Sequence, residues 1–249
     1  MSTEKTRVVI VGAKGRMGEA LIRLAKQNPQ LEFVAGIDKG DDILSVIDKC
    51  DAIIEFAHHS LSPDLAKVAV KHNKALVIGT TGHTAEERAA IAEAGKQIPV
   101  VFAPNFSIGV NLLFFLTQLA AETLGEDYDQ EVVEMHHKHK LDAPSGTARR
   151  LGEILAEAGG GTYEDLTVHG RHGDVGARPK KIIGMHALRG GDVVGDHTVH
   201  FATNGERVEL THRASSRDTF ATGALRAAQW LRTQQPGLYS MQDVLGLKR

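Results

Sequence analysis

Residues 134–147 concentrate proton-handling and anion-binding chemistry in one short stretch. His136-His137-Lys138-His139-Lys140 is an unbroken run of imidazole and ammonium groups, and Pro144-Ser145-Gly146-Thr147 follows as a turn that opens an apolar-periodic helix. An imidazole gives or takes a proton close to neutrality, and an ammonium can donate one or hold negative charge. Side chains four apart project the same way from either a strand or a helix, so His136 and Lys140 are expected to converge. Backbone N–H groups at a helix start receive carboxylate or phosphate, which makes the turn an anion site. The stretch reads as a pocket for an anionic substrate that must be protonated. Taken alone, a basic run is more often a solvated face. A metal site on His136, His137 and His139 ranks low, because adjacent strand residues face opposite ways and no cysteine or second His-x-x-His completes a ligand set; no metal is expected.

The remainder of the chain raises the pocket above the solvated face. Arg7-Val8-Val9-Ile10-Val11 is a β-branched run that ends at Gly12-Ala13-Lys14-Gly15-Arg16-Met17-Gly18, and a helical pattern with Ala20, Leu21, Leu24 and Ala25 inward follows. In strand, glycine turn and helix, the first glycine permits the tight turn, the second lets backbone approach a pyrophosphate and the third lets the helix pack on the sheet. The spacing here is GxxGxxG, a variant of the dinucleotide fingerprint. The second strand, 31–37, ends in Asp38-Lys39 about twenty residues beyond Gly18, where such folds place the acid for the adenosine ribose. Lys39 is equally suited to a 2′-phosphate, so the pair leaves NADH and NADPH both open.

Further strands are expected at 51–56, 75–78 and 100–102, with helices at 41–49, from Pro63, and from the capping box Thr84-Ala85-Glu86-Glu87. His58-His59-Ser60 reads as loop lining. Gly79-Thr80-Thr81 and Ala103-Pro104-Asn105-Phe106 fall after strands four and five, beyond the carboxyl ends where open parallel sheets hold ligands. At Ser107 the pattern changes: an apolar helix over 108–124, a helix over 146–158, then strand-like segments at 166–169, 181–188, 192–203 and 207–213, with Asn204-Gly205 as a hairpin turn. A helix over 218–235 and a short tail close the chain. The expected fold class is α/β: a Rossmann-type parallel-sheet domain of residues 1–106 and 217–249, and an α+β domain of residues 107–216 with a largely antiparallel sheet.

The 249 residues, 42% hydrophobic, suffice for a full core or two modest domains. A net charge of -2 supplies no overall pull toward nucleic acid or anionic membrane. The lone Cys50 has no disulfide partner, which fits the cytoplasm. The polar residues 1–7 lack a signal-peptide core. No apolar run is expected to reach membrane-spanning length, the richest, 110–119, being interrupted by Asn111 and Gln118.

With 12–18, 105–111 and 134–147 in view, the chain resembles the 4-hydroxy-tetrahydrodipicolinate reductase (dihydrodipicolinate reductase) family over nearly its full length. The block from His136 to Thr147 carries the resemblance, and Arg189-Gly190-Gly191-Asp192-Val193-Val194-Gly195-Asp196-His197 and Ala214-Ser215-Ser216-Arg217 match two further family signatures. The resemblance implies that Gly12, Ala13, Lys14, Gly15, Arg16 and Met17 hold the cofactor pyrophosphate and Asp38 with Lys39 the adenosine end. It implies that Gly79, Thr80, Thr81 and Ala103, Pro104, Asn105, Phe106 surround the nicotinamide. It assigns His136 as proton donor and acceptor, Lys140 as second donor, and His137, Gly146 and Thr147 to the substrate carboxylates. Hinges would fall near 105–107 and 216–217. Lys14, Lys39 and the short stretch after Asp38 depart from the usual family pattern and leave cofactor preference open.

The implied reaction is NADH- or NADPH-dependent reduction of 4-hydroxy-tetrahydrodipicolinate, through dihydrodipicolinate, to tetrahydrodipicolinate on the diaminopimelate route to lysine. Cofactor and substrate groups on different domains would need closure to meet, and a homotetramer joined through the second domain's sheet is implied. Two other readings stay open: a nicotinamide-dependent reductase or dehydrogenase of another small keto or imino acid, and a non-catalytic NAD(P)-binding dicarboxylate sensor. A metal-dependent hydrolase stands third.

Overall fold

The computed structural model describes residues 4–247; the first three residues of the polar N-terminus and the last two of the C-terminal tail lie outside the described residues. The chain divides into two compact units, Met1–Ile108 with Arg217–Arg249, and Gly109–Ser216.

The first unit opens with β1 (Thr6–Val11), α1 (Arg16–Gln27), β2 (Leu31–Ile37), β3 (Ala52–Glu55), α2 (Ser62–Lys71), β4 (Ala75–Ile78), α3 (Ala85–Gly95) and β5 (Pro99–Phe102). β3 and β4 are buried on both faces, as parallel strands covered by helices on each side must be. Alternate residues serve opposite layers. Val8, Ile10, Ile54, Val77 and Val101 pack with Leu21 and Leu225, whereas Val9, Ile53, Leu76, Ile78 and Val100 pack with Leu65 and Ile91. The capping box at the start of α3 is formed on both sides, Thr84 Oγ1 accepting from the Glu87 amide and the Glu87 carboxylate from the Thr84 amide. Instead of a helix over 41–49 there are two 3-10 turns, Ile43–Ser45 and Ile47–Lys49; Asp42 caps the first by accepting from the Leu44 amide and diverts the chain before an α turn closes.

The second unit holds α4 (Ile108–Leu124), whose first residue falls in the first unit, then β6 (Asp129–His136), α5 (Gly146–Ala158), α6 (Tyr163–Leu166), β7 (Thr167–His169), β8 (Ile183–Arg189), β9 (Gly195–Thr203) and β10 (Glu206–Ala214). Its sheet has the order β10-β9-β6-β8-β7. The sheet is mixed: antiparallel through the long β9–β10 and β6–β9 ladders and parallel where β8 lies between β6 and β7. The parallel pairing of β6 with β8 follows from the crossover through α5. Asn204 and Gly205 form the β9–β10 turn, Gly205 at φ +95°. Val132, Val199 and Phe201 from the sheet pack with Val110, Leu113 and Phe114 of α4 and Leu151 and Leu155 of α5. By length and composition Ile108–Asp127 is apolar enough to cross a membrane, with mean hydropathy 1.3, which corrects the expectation from the interrupted run 110–119. Asn111 and Gln118 do not lower the hydropathy of the longer window enough, and the helix instead buries one stripe on its own sheet.

The chain then returns to the first unit as α7 (Asp218–Leu231), β11 (Gly237–Tyr239) and α8 (Met241–Leu245). α7 ends earlier than the expected 218–235, and the tail is structured. β11 pairs parallel with β5, completing the sheet order β11-β5-β4-β3-β1-β2. Three residues carry too short a pattern for a strand to be read from them, and pairing with β5 makes it one.

Candidate active site

At the end of β1 the backbone turns through Gly12 at φ +85°, a region costly for residues with a Cβ. A Cβ on Gly12 would stand 2.3 Å from the Phe56 carbonyl oxygen, and one on Gly18 2.2 Å from the Gly12 carbonyl oxygen. Gly15 differs: its nearest neighbour would be the Gly12 carbonyl oxygen at 3.3 Å, so its outer side is open. Gly15 is also the N-cap of α1, with no side-chain cap over the helix start. The turn therefore offers bare backbone at the positive end of a helix dipole, the requirement for binding a diphosphate.

Asp38, just past β2, accepts from the Lys14 amide at 2.8 Å and the Lys39 amide at 2.9 Å. Those backbone hydrogen bonds hold its carboxyl below the usual range, Lys14 contributing most. A cleft of about 870 Å³ runs along Gly12, Gly15, Ile37, Asp38, Lys39 and Phe56. A second, of about 450 Å³, is lined by Gly15, Arg16, Met17, Gly79, Thr80, Thr81 and Arg217. The two share Gly15, Phe56 and Ala57, so one trough leads from Asp38 across the glycine turn to Thr80 and Thr81. Its size, open glycine and acid at one end fit an extended dinucleotide. His58 and Ser60 line the Asp38 end, as loop residues after β3.

Residues 103–106 line neither cleft and stand behind Phe56, which lines both. Ala103 and Phe106 are buried in the core, Phe106 meeting Phe56 edge-on at 5.6 Å, and Asn105 Oδ1 accepts from the Ser107 amide at 2.8 Å. The apolar side chains of this loop answer to α7, whose Gly223 lies hard against the Phe106 carbonyl.

Sequence reasoning overlooked Glu55 at the end of β3. Fully buried, its carboxylate accepts from the Ala57 amide at 2.8 Å, from Ser62 Oγ at 3.0 Å and from the Thr80 hydroxyl. The Ala57 amide also donates to Thr80 Oγ1 at 3.0 Å. One carboxylate thus fastens both loops that floor the second cleft. A charged residue closing a buried β-branched strand was the signal available. Phe56, Arg217 and Phe220 were likewise missed as lining residues.

In the second unit β6 delivers Glu134 and His136 to the same face, two residues apart. His136 Nδ1 lies 2.6 Å from Glu134 Oε2. Arg189, at the end of β8, donates from both terminal nitrogens to the two Glu134 oxygens at 2.9 Å each, and the Ser145 amide donates to Oε1 at 3.1 Å. Burial would raise the Glu134 carboxyl, but the Arg189, His136 and Ser145 hydrogen bonds prevail and hold it below the ordinary range. His197 on β9 stands edge-on to His136 with ring centres 5.1 Å apart, and its Nε2 pairs with Ser145 Oγ at 3.1 Å. Burial first, then the charge of His136, push the His197 pKa down to about 3. The Glu134, Arg189, Ser145 and His197 contacts were not read from the sequence, although Arg189 and His197 bound a signature already noted.

Residues 137–140 leave the strand in a turn, the Lys140 amide bonding the His137 carbonyl at 3.1 Å, so the convergence of His136 and Lys140 rests on neither strand nor helix periodicity. The Lys140 ammonium donates to Asp142 Oδ1 at 2.9 Å, holding that carboxyl below its usual range. Lys140 also contributes to the depression of His197, which places its charge in the same neighbourhood as His136. His137 is half-buried, with Nδ1 lacking a hydrogen-bond partner among the described residues. α5 starts at Gly146, exposed and with space for a Cβ, followed by Thr147; Ser145 Oγ accepts from the Ala148 amide, and no acid stands in the first turn. An anion approaching that helix start meets dipole and N–H groups without a competing carboxylate. Among the described residues no three His, Cys, Asp or Glu side chains gather as a metal cluster.

Family models for the N-terminus and C-terminus of dihydrodipicolinate reductase match residues 6–106 and 109–245. A 4-hydroxy-tetrahydrodipicolinate reductase of Akkermansia muciniphila is 57% identical over 97% of this chain and 98% of its own length. One of Hahella chejuensis is 49% identical over 98% of this chain and 100% of its own. The dipicolinate-bound dihydrodipicolinate reductase from Paenisporosarcina sp. TG-14 superposes with a TM-score of 0.80 at 25% identity, covering 96% of this chain and 98% of that one.

Proposed function

The chain belongs to the dihydrodipicolinate reductase family, and from that premise we propose that it reduces 4-hydroxy-tetrahydrodipicolinate, by way of dihydrodipicolinate, to tetrahydrodipicolinate on the diaminopimelate route to L-lysine. The reductant is NADH or NADPH, and the trough from Asp38 through Gly15 to Thr80 is what would hold it. Gly12–Met17 take the diphosphate at the start of α1, Asp38 and Lys39 the adenosine ribose, and Gly79, Thr80 and Thr81 the nicotinamide end. Arg16 and Arg217 bring positive charge to that cleft. Bound there, the nicotinamide supplies a hydride to the unsaturated ring.

The observation that carries the assignment of chemistry is the tethered imidazole at the end of β6. With Nδ1 turned to Glu134, His136 keeps Nε2 for proton exchange with the substrate. Gly195 crowds that nitrogen with no side chain; a Cβ there would stand 2.9 Å from Nε2. Lys140 is the second proton donor and balances the negative charge of a dicarboxylate. His137 and the Gly146 and Thr147 amides take the carboxylates, where charge-assisted hydrogen bonds are strongest.

The assembly we read as a homotetramer joined through the five-stranded sheet. The sheet face turned away from α5 carries Val133, Met135 and Leu188, the last 50% exposed, and light scattering measures the mass. The cytoplasm suits a chain whose one cysteine is buried and free. Nothing in a net charge of -2 favours nucleic acid.

The test follows oxidation of NADH and NADPH in parallel with substrate freshly made by a coupled synthase. The wild type oxidises cofactor; His136→Ala and Lys140→Ala each lose roughly 10²–10⁴ in kcat, the range of general acid catalysis, and bind cofactor unchanged. Near-normal turnover in both variants refutes the assignment.

A further inference from the structure

Glu134 is 1% exposed, and its carboxylate meets four donors from three places in the second unit. Oε2 faces His136 Nδ1 at 2.6 Å and Arg189 Nη1 at 2.9 Å; Oε1 faces Arg189 Nη2 at 2.9 Å and the Ser145 amide at 3.1 Å. Strand register sets this meeting, since β6 and β8 pair His136 with Arg189, and β6 and β9 pair Glu134 with His197. A carboxylate withdrawn from water persists only where its lone pairs are filled, and here they are.

We infer that Glu134 is a positioning residue for proton transfer: its carboxylate fixes His136 as the Nδ1–H tautomer, aims Nε2 at the substrate, and ties that imidazole to the anion-receiving start of α5 through Ser145. The inference rests on the reading of His136 as the proton donor. An ionised carboxylate only accepts hydrogen bonds, so the imidazole nitrogen beside it carries a proton in both charge states. The proton that moves is therefore the one on Nε2. His136 gives it to the substrate as imidazolium, remains as the neutral Nδ1–H ring, and regains a proton at Nε2 from solvent. Glu134 stays ionised throughout and orients the ring. Arg189 holds the carboxylate bidentately against rotation, which keeps the ring's direction tied to β8 and to the turn before α5. His197, edge-on and neutral, completes the wall without adding a competing charge.

A purely structural Glu134 would join the same elements without acting through the imidazole, and a double-mutant cycle separates the two. Turnover is measured for wild type, Glu134→Gln, His136→Ala and the double variant. Glu134→Gln is expected to lower kcat about 10²-fold or more with cofactor affinity within about threefold of wild type, and to cost less than about threefold when added to His136→Ala. Equal losses in both backgrounds, or full turnover of Glu134→Gln, overturn the role. If His136→Ala keeps wild-type turnover, the reading of His136 fails instead, a result distinct from either. Should Glu134→Gln not fold, long-range ¹H–¹⁵N correlation on wild type labelled with [¹⁵N]histidine decides: neutral His136 protonated at Nδ1 supports the role, and protonation at Nε2 overturns it.

Discussion

Replacing Gly12 and Gly15 by alanine, one at a time, separates a glycine the fold requires from one the cofactor requires. At Gly12 the backbone sits at φ +85°, and the new methyl would lie 2.3 Å from the Phe56 carbonyl oxygen and 2.8 Å from its carbon. A positive φ costs an alanine about 1–2 kcal/mol. The overlap is with backbone and finds no relief by side-chain rotation, which adds roughly 1–3 kcal/mol. At about 2–4 °C per kcal/mol for a chain of this size, Gly12→Ala is expected to melt roughly 4–20 °C lower. Gly15 is at φ -77° and ψ 160°, open to alanine, with one contact at 3.3 Å. There the N-cap preference for glycine over alanine, up to about 1 kcal/mol, is offset by about 0.4–1 kcal/mol from a stiffer unfolded chain, so the melting temperature holds within about 2 °C. The methyl does stand where a diphosphate must approach the backbone. Losing one charged hydrogen bond, about 1.5–3 kcal/mol, raises the dissociation constant of NADH or NADPH roughly 10–100-fold. Differential scanning fluorimetry and titration of reduced-cofactor fluorescence read the two quantities. A Gly15→Ala protein that binds both cofactors as tightly as wild type would refute the placement of the diphosphate, and a Gly12→Ala protein of wild-type melting temperature would refute the steric argument.

Glu55→Ala removes the acceptor shared by the Ala57 amide and the Ser62 and Thr80 hydroxyls; the amide keeps Thr80 Oγ1 and Ser62 keeps His83 Nε2, so the cost is about 1–3 kcal/mol for the Thr80 hydroxyl left without an acceptor, and the variant is expected to raise cofactor KM more than it lowers kcat. Unchanged melting and KM would rule out its fastening of the cleft floor. Burial pushes the Glu131 carboxyl up, but hydrogen bonds from Arg171, His186 and Arg178 bring it to about 2 against an ordinary 4.5, so its stabilisation is full above pH 4.5 and lost as pH falls toward 2. In Glu131→Gln that acid limb, on the order of 3 kcal/mol, should flatten in melting temperature against pH; an unaltered limb excludes it. Burial, then the His136 charge, leave His197 near 3 against an ordinary 6.5. The unfolded ring binds a proton that the folded ring refuses, so stability is full above pH 6.5 and falls between 6.5 and 3. His197→Asn should make the slope between pH 6.5 and 4.5 shallower, where Glu131 does not titrate and burial of His83 and His212 supplies the remainder, and a slope as steep as that of the wild type counts against the neutral His197.

Local chemistry determined much of this protein in advance. β1, the glycine turn and α1 were legible because a β-branched run, a glycine at each tight contact and a 3.6-residue period are properties of neighbours along the chain. The same holds for β2, β4, the Thr84 capping box and the helix from Gly146 to Ala158, and it put the imidazoles, the ammonium and the helix start in one stretch. What only the tertiary structure decided is who meets whom across the sheets. Glu134 finds Arg189 55 positions away, Ser145 finds His197 52 away and Glu55 finds Thr80 25 away. Strand register brings Glu134 to Arg189, the loop after β4 and the turn before α5 bring Thr80 and Ser145, and a slip of one residue would turn every side chain of a strand to its other face. β11 exists as a strand only because β5 offers it an edge, and Phe106 packs in the core edge-on to Phe56, with its carbonyl against Gly223 of α7. Periodicity tells a residue which face it shares with its neighbours; the partner opposite comes from packing that the whole chain negotiates at once.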